Sequence, residues 1–214
     1  MKLQVALDVK TTDDALAIMA KVAPWIDIIE IGTPLVVAEG ARVCRVLKDA
    51  YPDKELLFDA KIMDGGRSLS EMGFKNGADI VTVLGITNDS TVAGAVKCAE
   101  RYGGYICADT IGIKADELPG RTHELEELGC GSVAVHTAHD MLGTIDTPIE
   151  ALKVIKANLT PGSGCLSVIT GGVMPEAMPE IVAAGPDIVI CGSGICKAED
   201  PAQVARILKE AMPA

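Results

Sequence analysis

The sequence predicts a single-domain (β/α)₈ barrel, the TIM-barrel architecture, over residues 1–214. Short runs rich in Val, Ile and Leu alternate with helical stretches eight times along the chain, which is the pattern of repeated βα units. The length suits one domain near the lower limit for a complete barrel. Right-handed crossovers between consecutive strands favour closure of the sheet, with an open doubly wound sheet as the alternative.

The predicted elements alternate without a linker or a charge block between them. Strands are predicted at residues 3–8, 27–31, 55–60, 79–84, 105–109, 132–136, 165–170 and 187–191. Helices are predicted near residues 12–22, 36–49, 66–76, 89–101, 116–128, 147–158, 175–184 and 200–212. Helix starts are indicated by capping residues at Thr11, Asn88 and Asp200-Pro201. Helix ends are indicated by glycines at Gly77, Gly129 and Gly185.

Composition and charge argue against several classes of partner. Apolar residues make up 49% of the chain and aromatic residues 3%, which is a globular composition. A formal net charge of −11 would repel nucleic acid and anionic membranes. The apolar run before Asp8 is too short for a secretory signal and no segment approaches the roughly 20 residues of a membrane span, so a cytoplasmic protein is expected. The seven cysteines lack Cys-x-x-Cys pairs and are expected to be reduced thiols.

Polar residues close the predicted strands, and in a barrel the active site lies at these ends. For any single position, a helix cap or a solvated loop residue would explain the same observation. The whole set consists of Asp8, Glu30, Asp59, Lys61, Thr82, Asp109, His136, Thr170 and Gly192-Ser193. Because so many of these residues converge on one rim, the sequence predicts a site there.

The segment from Asp59 to Asp64 is the most informative part of this set. Asp59 and Lys61 are two residues apart at a strand end, so both side chains are expected to point into the barrel. Such a lysine gains a carboxylate partner and can orient or protonate a developing anion. A purely structural ion pair would also explain the two residues, and a helix cap would explain Asp64.

Two glycine-rich turns indicate a phosphate site. Thr170-Gly171-Gly172 follows the seventh predicted strand and Gly192-Ser193-Gly194 follows the eighth. Many (β/α)₈ barrels bind phosphate with loop N–H groups at these positions, where glycine lets the backbone approach the ligand closely. Glycine-rich turns are common in proteins, and only their placement after the last two strands makes this interpretation specific.

The spacing Asp59-x-Lys61-x-x-Asp64 resembles the signature of the orotidine monophosphate decarboxylase suprafamily. Within it, the chain resembles the family of 3-hexulose-6-phosphate synthases from the first strand to the last. The landmarks that carry this resemblance are LQVALD at 3–8, DIIEIGTP at 27–34, DAKIMDGG at 59–66, VHT at 135–137 with Asp140, and GGV at 171–173. The match is specific as a set, although each landmark alone would be weak.

The resemblance implies a homodimer that uses Mg²⁺, or Mn²⁺, as cofactor. Glu30 and Asp59 would bind the metal, and Asp8 and Lys61 would lie against the sugar phosphate. Asp64 would reach into the site of the partner subunit. Oxygen ligands of this kind suit magnesium, which keeps waters and accepts substrate oxygens at its other positions.

The resemblance also gives His136 a role. A histidine at a strand end is often a satisfied core residue, but on the active rim His136 would act as the general base. His139 and Asp140 would support it, whereas His123 lies inside a predicted helix and is interpreted as a surface residue.

The implied reaction is the reversible aldol addition of formaldehyde to D-ribulose 5-phosphate through an enediolate stabilised by the metal. The alternative within the suprafamily is 3-keto-L-gulonate-6-phosphate decarboxylase. Members of that family usually carry Glu, Arg and Arg where this sequence has Asp109, His139 and Ser193, which favours the synthase but leaves the phosphate without a charged partner. A third alternative belongs to a different functional class: a non-catalytic barrel that only binds a sugar phosphate.

Overall fold

The computed structural model describes residues 1–136 and 148–213 and contains a closed barrel of eight strands. Consecutive strands pair in parallel, and β1 also pairs with β8 in parallel, which closes the sheet. The strands are β1 Lys2–Leu7, β2 Ile28–Ile31, β3 Glu55–Ile62, β4 Ile80–Leu84, β5 Tyr105–Asp109, β6 Ser132–Val135, β7 Leu166–Ile169 and β8 Ile188–Cys191. The predicted barrel is therefore confirmed, and the open sheet is excluded.

Helices cover the outside of the barrel. They are α1 Thr12–Val22, α2 Thr33–Glu39, α3 Arg42–Ala50, α4 Gly66–Lys75, α5 Asp89–Tyr102, α6 Leu118–Glu127, α7 Pro148–Asn158, α8 Met178–Ala184, α9 Ser193–Cys196 and α10 Pro201–Glu210. The predicted capping at Thr11 and Asp200 is confirmed, because the Thr11 side chain accepts from Asp14 N and the Asp200 side chain accepts from Gln203 N. In the part of the chain that the structure describes, no helix is long and apolar enough to cross a membrane.

Two predicted elements differ from the structure. The single helix predicted at 36–49 is two helices, α2 and α3, because Gly40 adopts φ 70° and ψ −169°, a backbone conformation that cannot continue a helix. The one-turn helix α9 lies between β8 and α10, at the glycine-rich turn predicted to bind phosphate, and was not among the eight predicted helices.

The barrel interior is packed with apolar side chains. Nine buried residues form this inner cluster: Ala6, Ile28, Leu57, Ile80, Cys107, Ala134, Val168, Ile188 and Ile190. A larger cluster fills the space between the strands and the helices. The strands are apolar on both faces, as parallel strands covered by helices require. The small side chains of Ala6, Cys107 and Ala134 leave space above them at the carboxyl ends of the strands, and a cavity opens there.

Candidate active site

A cavity of about 440 Å³ opens at the carboxyl ends of the strands. Its floor contains Ala6, Leu57, Cys107, Ala134 and Ile190 from the barrel interior. Its walls carry most of the predicted site residues: Asp8, Glu30, Asp59, Lys61, Thr82, Asp109, His136, Thr170 and Ser193. Apart from Gly192, the strand-end residues that the sequence singled out therefore line one cavity.

Asp59 is the centre of the hydrogen-bond network in this cavity. Its side chain is buried, and Oδ2 accepts from Lys61 Nζ at 2.6 Å and from Thr33 Oγ1 at 2.6 Å. Oδ1 accepts from Thr82 Oγ1 at 2.8 Å. Because both carboxylate oxygens are held by donors from different elements, the orientation of the Asp59 side chain is fixed.

The backbone of Lys61 has an unusual conformation. With φ 43°, Lys61 is the one non-glycine residue in the described ranges that has a positive φ. The pairing of β3 with β4 shifts register between Phe58 and Ile62, and Lys61 N donates to Thr82 Oγ1 at 2.9 Å. A non-glycine residue in this region costs about 1–3 kcal/mol, and such residues cluster at functional sites. The predicted contact between Lys61 and Asp59 is present. The two residues lie in the part of β3 where its pairing with β4 shifts register.

Lys61 is held as a cation by two carboxylates. Its Nζ lies 2.6 Å from Asp59 Oδ2 and 3.4 Å from Asp109 Oδ2. Burial opposes the charged form, but the negative charges of Asp59 and Asp109 outweigh burial and raise the pKa of Lys61. A permanent positive charge therefore faces the cavity between β3 and β5.

Glu30 is the second buried carboxylate beside Asp59. It is 8% exposed, and its Oε2 accepts from Gln4 Nε2 at 2.6 Å. Burial raises the pKa of Glu30, and the negative charge of Asp59 raises it further. A cation bound between the two carboxylates would remove this repulsion.

The pair Glu30 and Asp59 fits a hard divalent cation. The two carboxylates come from adjacent parallel strands, β2 and β3. Within residues 1–136 and 148–213, no cluster of three or more His, Cys, Asp or Glu side chains is arranged to hold a metal. Two carboxylates are nevertheless a usual protein contribution to a magnesium site, because Mg²⁺ keeps several waters and takes substrate oxygens.

Asp109 and His136 form a hydrogen-bonded pair in the cavity wall. His136 Nδ1 lies 2.7 Å from Asp109 Oδ2, and Ile111 N donates to Asp109 Oδ1 at 2.8 Å. Burial opposes ionisation of Asp109, but the hydrogen bond from His136 and the positive charge of Lys61 lower its pKa. Because an ionised carboxylate only accepts, Nδ1 carries the proton and Nε2 is the basic nitrogen of the ring.

Asp8 lies at the rim between the second and eighth strands. A Cβ atom on Gly32 would overlap Asp8 Oδ1, and one on Gly192 would lie 3.3 Å from Asp8 Oδ2. The missing side chains of these two glycines therefore make room for the Asp8 carboxylate. Gly192 was predicted to approach a phosphate, and in the structure it also accommodates this acid.

Two of the five predicted phosphate residues, Thr170 and Ser193, line the cavity, and the three glycines are not among its lining residues. Gly171 and Gly172 follow Thr170 with φ 96° and 67°, conformations that favour glycine. Lys197, which was not among the predicted site residues, also lines the cavity.

Asp64 lies outside this cavity. It is exposed, and its Oδ1 accepts from Gly65 N at 2.7 Å. It lines a separate groove with Arg67 and Ser90 at the start of α4 and α5. Its predicted place in the partner's site stays a prediction.

The three histidines of the chain differ in where they lie relative to the cavity. His123 lies on α6, more than half exposed, within 3.8 Å of Glu126 and 3.5 Å of Glu127, as predicted for a surface residue. His136 lines the cavity. His139, like Asp140, lies outside the described residues.

Three residues at the cavity were not predicted: Gln4 and Thr33, which orient carboxylates, and Lys197 on the rim. Gln4 interrupts an apolar strand and lies two residues before Ala6, so strand alternation alone predicts that it points into the barrel. That signal was available for Gln4. Thr33 and Lys197 carry no comparable signal, because threonines and lysines are common in loops and at helix ends.

A closed parallel barrel whose strand ends gather acids, a lysine and a histidine in one cavity defines a (β/α)₈-barrel enzyme. The model of the orotidine 5'-phosphate decarboxylase / HUMPS family matches residues 1–208. The chain belongs to this family.

Relatives within the family match over almost the whole chain. The 3-hexulose-6-phosphate synthase of Bacillus subtilis (strain 168) is 37% identical over 210 residues, 98% of each chain. The crystal structure of 3-hexulose-6-phosphate synthase from Salmonella typhimurium is 39% identical with a TM-score of 0.93, covering 99% of this chain and 98% of that chain. The structure of 3-keto-L-gulonate-6-phosphate decarboxylase from Vibrio cholerae is 29% identical with a TM-score of 0.84, covering 98% and 96%.

Proposed function

We propose that this protein is a 3-hexulose-6-phosphate synthase, which adds formaldehyde to D-ribulose 5-phosphate in a reversible aldol reaction and yields D-arabino-hex-3-ulose 6-phosphate. Full-length relatives of this activity, at 37% and 39% identity, support it. The observation that carries the proposal is the cavity in which Glu30, Asp59, Lys61 and His136 face one another. This is the set that proton abstraction next to a carbonyl requires.

His136 would remove a proton from C1 of the ketose with Nε2. The Asp109 carboxylate, 2.7 Å from Nδ1, holds the ring in the tautomer that makes Nε2 basic and stabilises the imidazolium that forms. Electrons of the broken C–H bond then form the new C–C bond to formaldehyde. The alkoxide oxygen of the former formaldehyde would then take up the proton that His136 removed.

Lys61 would stabilise the negative charge that develops on the substrate oxygen. Its ammonium group is already oriented by Asp59 and Asp109, so little reorganisation is needed during the reaction. Glu30 and Asp59 would hold Mg²⁺ or Mn²⁺, which when bound supplies a Lewis acid for the ketose oxygens. Asp8, at the rim, would contact substrate hydroxyl groups.

The phosphate would bind where the last two strands end. Thr170 and Ser193 offer hydroxyl groups to the cavity. Gly171, Gly172 and Gly192 allow the neighbouring backbone N–H groups to approach the phosphate oxygens closely.

An assay with two substrates tests this proposal. Purified protein with Mg²⁺ is mixed with D-ribulose 5-phosphate and formaldehyde, and formaldehyde loss is followed; release of CO₂ from 3-keto-L-gulonate 6-phosphate is measured in parallel. We expect turnover in the first mixture and little in the second. Decarboxylation without formaldehyde consumption would assign the chain to the alternative, and saturable sugar-phosphate binding without turnover of either substrate would indicate a non-catalytic barrel.

Gln4 is expected to control metal affinity through Glu30. The substitution Gln4→Leu removes the hydrogen bond of 2.6 Å to Glu30 and fills the same space in the barrel with an apolar side chain of similar size. Loss of a partner that orients a metal ligand typically costs about 10- to 100-fold in affinity. Calorimetric titration with Mg²⁺ should show this weakening, with an unchanged melting temperature as evidence that the barrel is intact. Wild-type affinity in the variant would contradict the assignment of Glu30.

A homodimer is proposed with Asp64 acting across the interface. Exposed apolar side chains follow closely in sequence, beside Asp64 and on α4: Met63, Leu69 and Met72 are 53%, 41% and 52% exposed. A patch of this kind is suited to a two-fold interface, which buries the same surface on both subunits.

Mixed dimers test the position of Asp64. Asp64→Ala and His136→Asn are each expected to be inactive alone. If Asp64 completes the partner's site, a mixed dimer has one intact site, and random mixing should restore about a quarter of the wild-type activity. No recovery on mixing, with mixed dimers verified by mass spectrometry, would place Asp64 in its own subunit's site or outside any site.

A further inference from the structure

Lys197 lies on the rim of the active-site cavity directly after the one-turn helix α9. Its backbone N donates to Ser193 O at 3.0 Å, so Ser193 and Lys197 are four residues apart on one helical turn and their side chains share a face. Both residues line the cavity. Lys197 forms no ion pair with any carboxylate in residues 1–136 and 148–213.

The described residues that line the cavity include more carboxylates than lysines. Four carboxylates line the cavity: Asp8, Glu30, Asp59 and Asp109. Lys61 is one of two lysines in the described part of the cavity wall, and its charge is compensated by Asp59 at 2.6 Å and Asp109 at 3.4 Å. Lys197 is the other lysine. It is therefore the ammonium group left to attract a further anion.

A phosphate bound at the end of β8 would lie close to a negative charge. A Cβ atom on Gly192 would be 3.3 Å from Asp8 Oδ2, so the Asp8 carboxylate is beside the loop that the phosphate would approach. Backbone N–H groups and the Ser193 hydroxyl are neutral donors. They do not offset the repulsion between a phosphate dianion and a carboxylate as a nearby cation does.

We propose that Lys197 recognises the phosphate of the sugar substrate and supplies the positive charge that Ser193 lacks. This inference rests on the proposed function. The long side chain acts as a mobile point charge at the rim, while Ser193 donates a hydroxyl from the same face. Lys197 thereby makes the site prefer a phosphorylated ketose over the free sugar.

Binding measurements on matched variants test the role of Lys197. Calorimetry with D-ribulose 5-phosphate, inorganic phosphate and D-ribulose is compared for wild type, Lys197→Met, Lys197→Arg and the control Lys21→Met. Lys21 is an exposed lysine in the last turn of α1, at the opposite end of the barrel from the cavity. Because Lys197 is exposed, each variant should keep the wild-type melting temperature.

We expect Lys197→Met to weaken binding of D-ribulose 5-phosphate and of inorganic phosphate by about tenfold, the scale of one charge-assisted hydrogen bond. Affinity for D-ribulose should not change. Lys197→Arg should restore most of the loss, and Lys21→Met should behave as wild type. In turnover, Lys197→Met should raise KM with little effect on kcat, because the phosphate does not react.

The outcomes separate this inference from the proposed reaction. If phosphate binding depends on Lys197 but formaldehyde is not consumed, the proposed reaction fails and the role of Lys197 stands. If Lys197→Met binds both phosphate ligands as tightly as wild type, or if wild type binds neither, the inference is wrong. An equal loss for phosphorylated and free ribulose would also overturn it, because that result indicates a distorted cavity.

Discussion

Asp59→Asn is expected to lower kcat/KM by about 10³-fold or more. The substitution removes a negative charge that serves two functions. It orients Lys61 at 2.6 Å, and it forms one half of the carboxylate pair proposed for Mg²⁺. An asparagine amide has nearly the same shape and fills the same buried volume, so the loss should come from charge rather than from packing.

Steady-state kinetics and Mg²⁺ titration together check this expectation. Both kcat and Mg²⁺ affinity should fall in Asp59→Asn, while the melting temperature changes little. Asp49→Asn, an exposed position on α3, is the matched control and should retain wild-type values. Turnover within tenfold of wild type in Asp59→Asn would show that neither the metal nor Lys61 depends on this carboxylate.

His136→Asn is expected to reduce kcat by about 10²- to 10⁴-fold, the usual contribution of a general base. Asparagine can still hydrogen bond to Asp109, which lies 2.7 Å from Nδ1 in the native protein, but it has no basic nitrogen. Substrate binding should therefore be preserved while proton abstraction is lost. The expected pattern is a large fall in kcat with a small change in the Kd for D-ribulose 5-phosphate.

His123→Asn provides the control for this measurement. His123 is exposed on α6 beside Glu126 and Glu127 and does not line the cavity. It should keep full activity. If His136→Asn retained kcat, or if both variants lost activity to the same extent, another residue would have to act as the base.

The barrel and most of the active-site cavity could be predicted because both depend on where a residue lies along a strand. Strand alternation and the direction of parallel strands place Glu30, Asp59, Asp109 and His136 at one mouth, and the structure has them there. These positions follow from local sequence, and no knowledge of side-chain contacts is needed to predict them.

The contacts that orient these residues could not be predicted in the same way. The positive φ of Lys61 coincides with a register shift between β3 and β4, which depends on the partner strand. Thr33 reaches Asp59 because β2 and β3 are neighbours, although the two residues are 26 positions apart. The break between α2 and α3 depends on the backbone conformation of Gly40 alone. The apolar pattern on either side of Gly40 is helical and does not reveal this conformation.

The central claim is that His136 removes a proton from C1 of a sugar phosphate that is bound beside Glu30, Asp59 and Lys61. The most direct test is proton nuclear magnetic resonance of D-ribulose 5-phosphate with the protein in D₂O without formaldehyde. We expect one C1 proton to exchange for deuterium when Mg²⁺ is present, and exchange to stop with EDTA or in His136→Asn. Consumption of formaldehyde by a protein that never exchanges the C1 proton, or exchange that persists unchanged in both controls, would contradict the account.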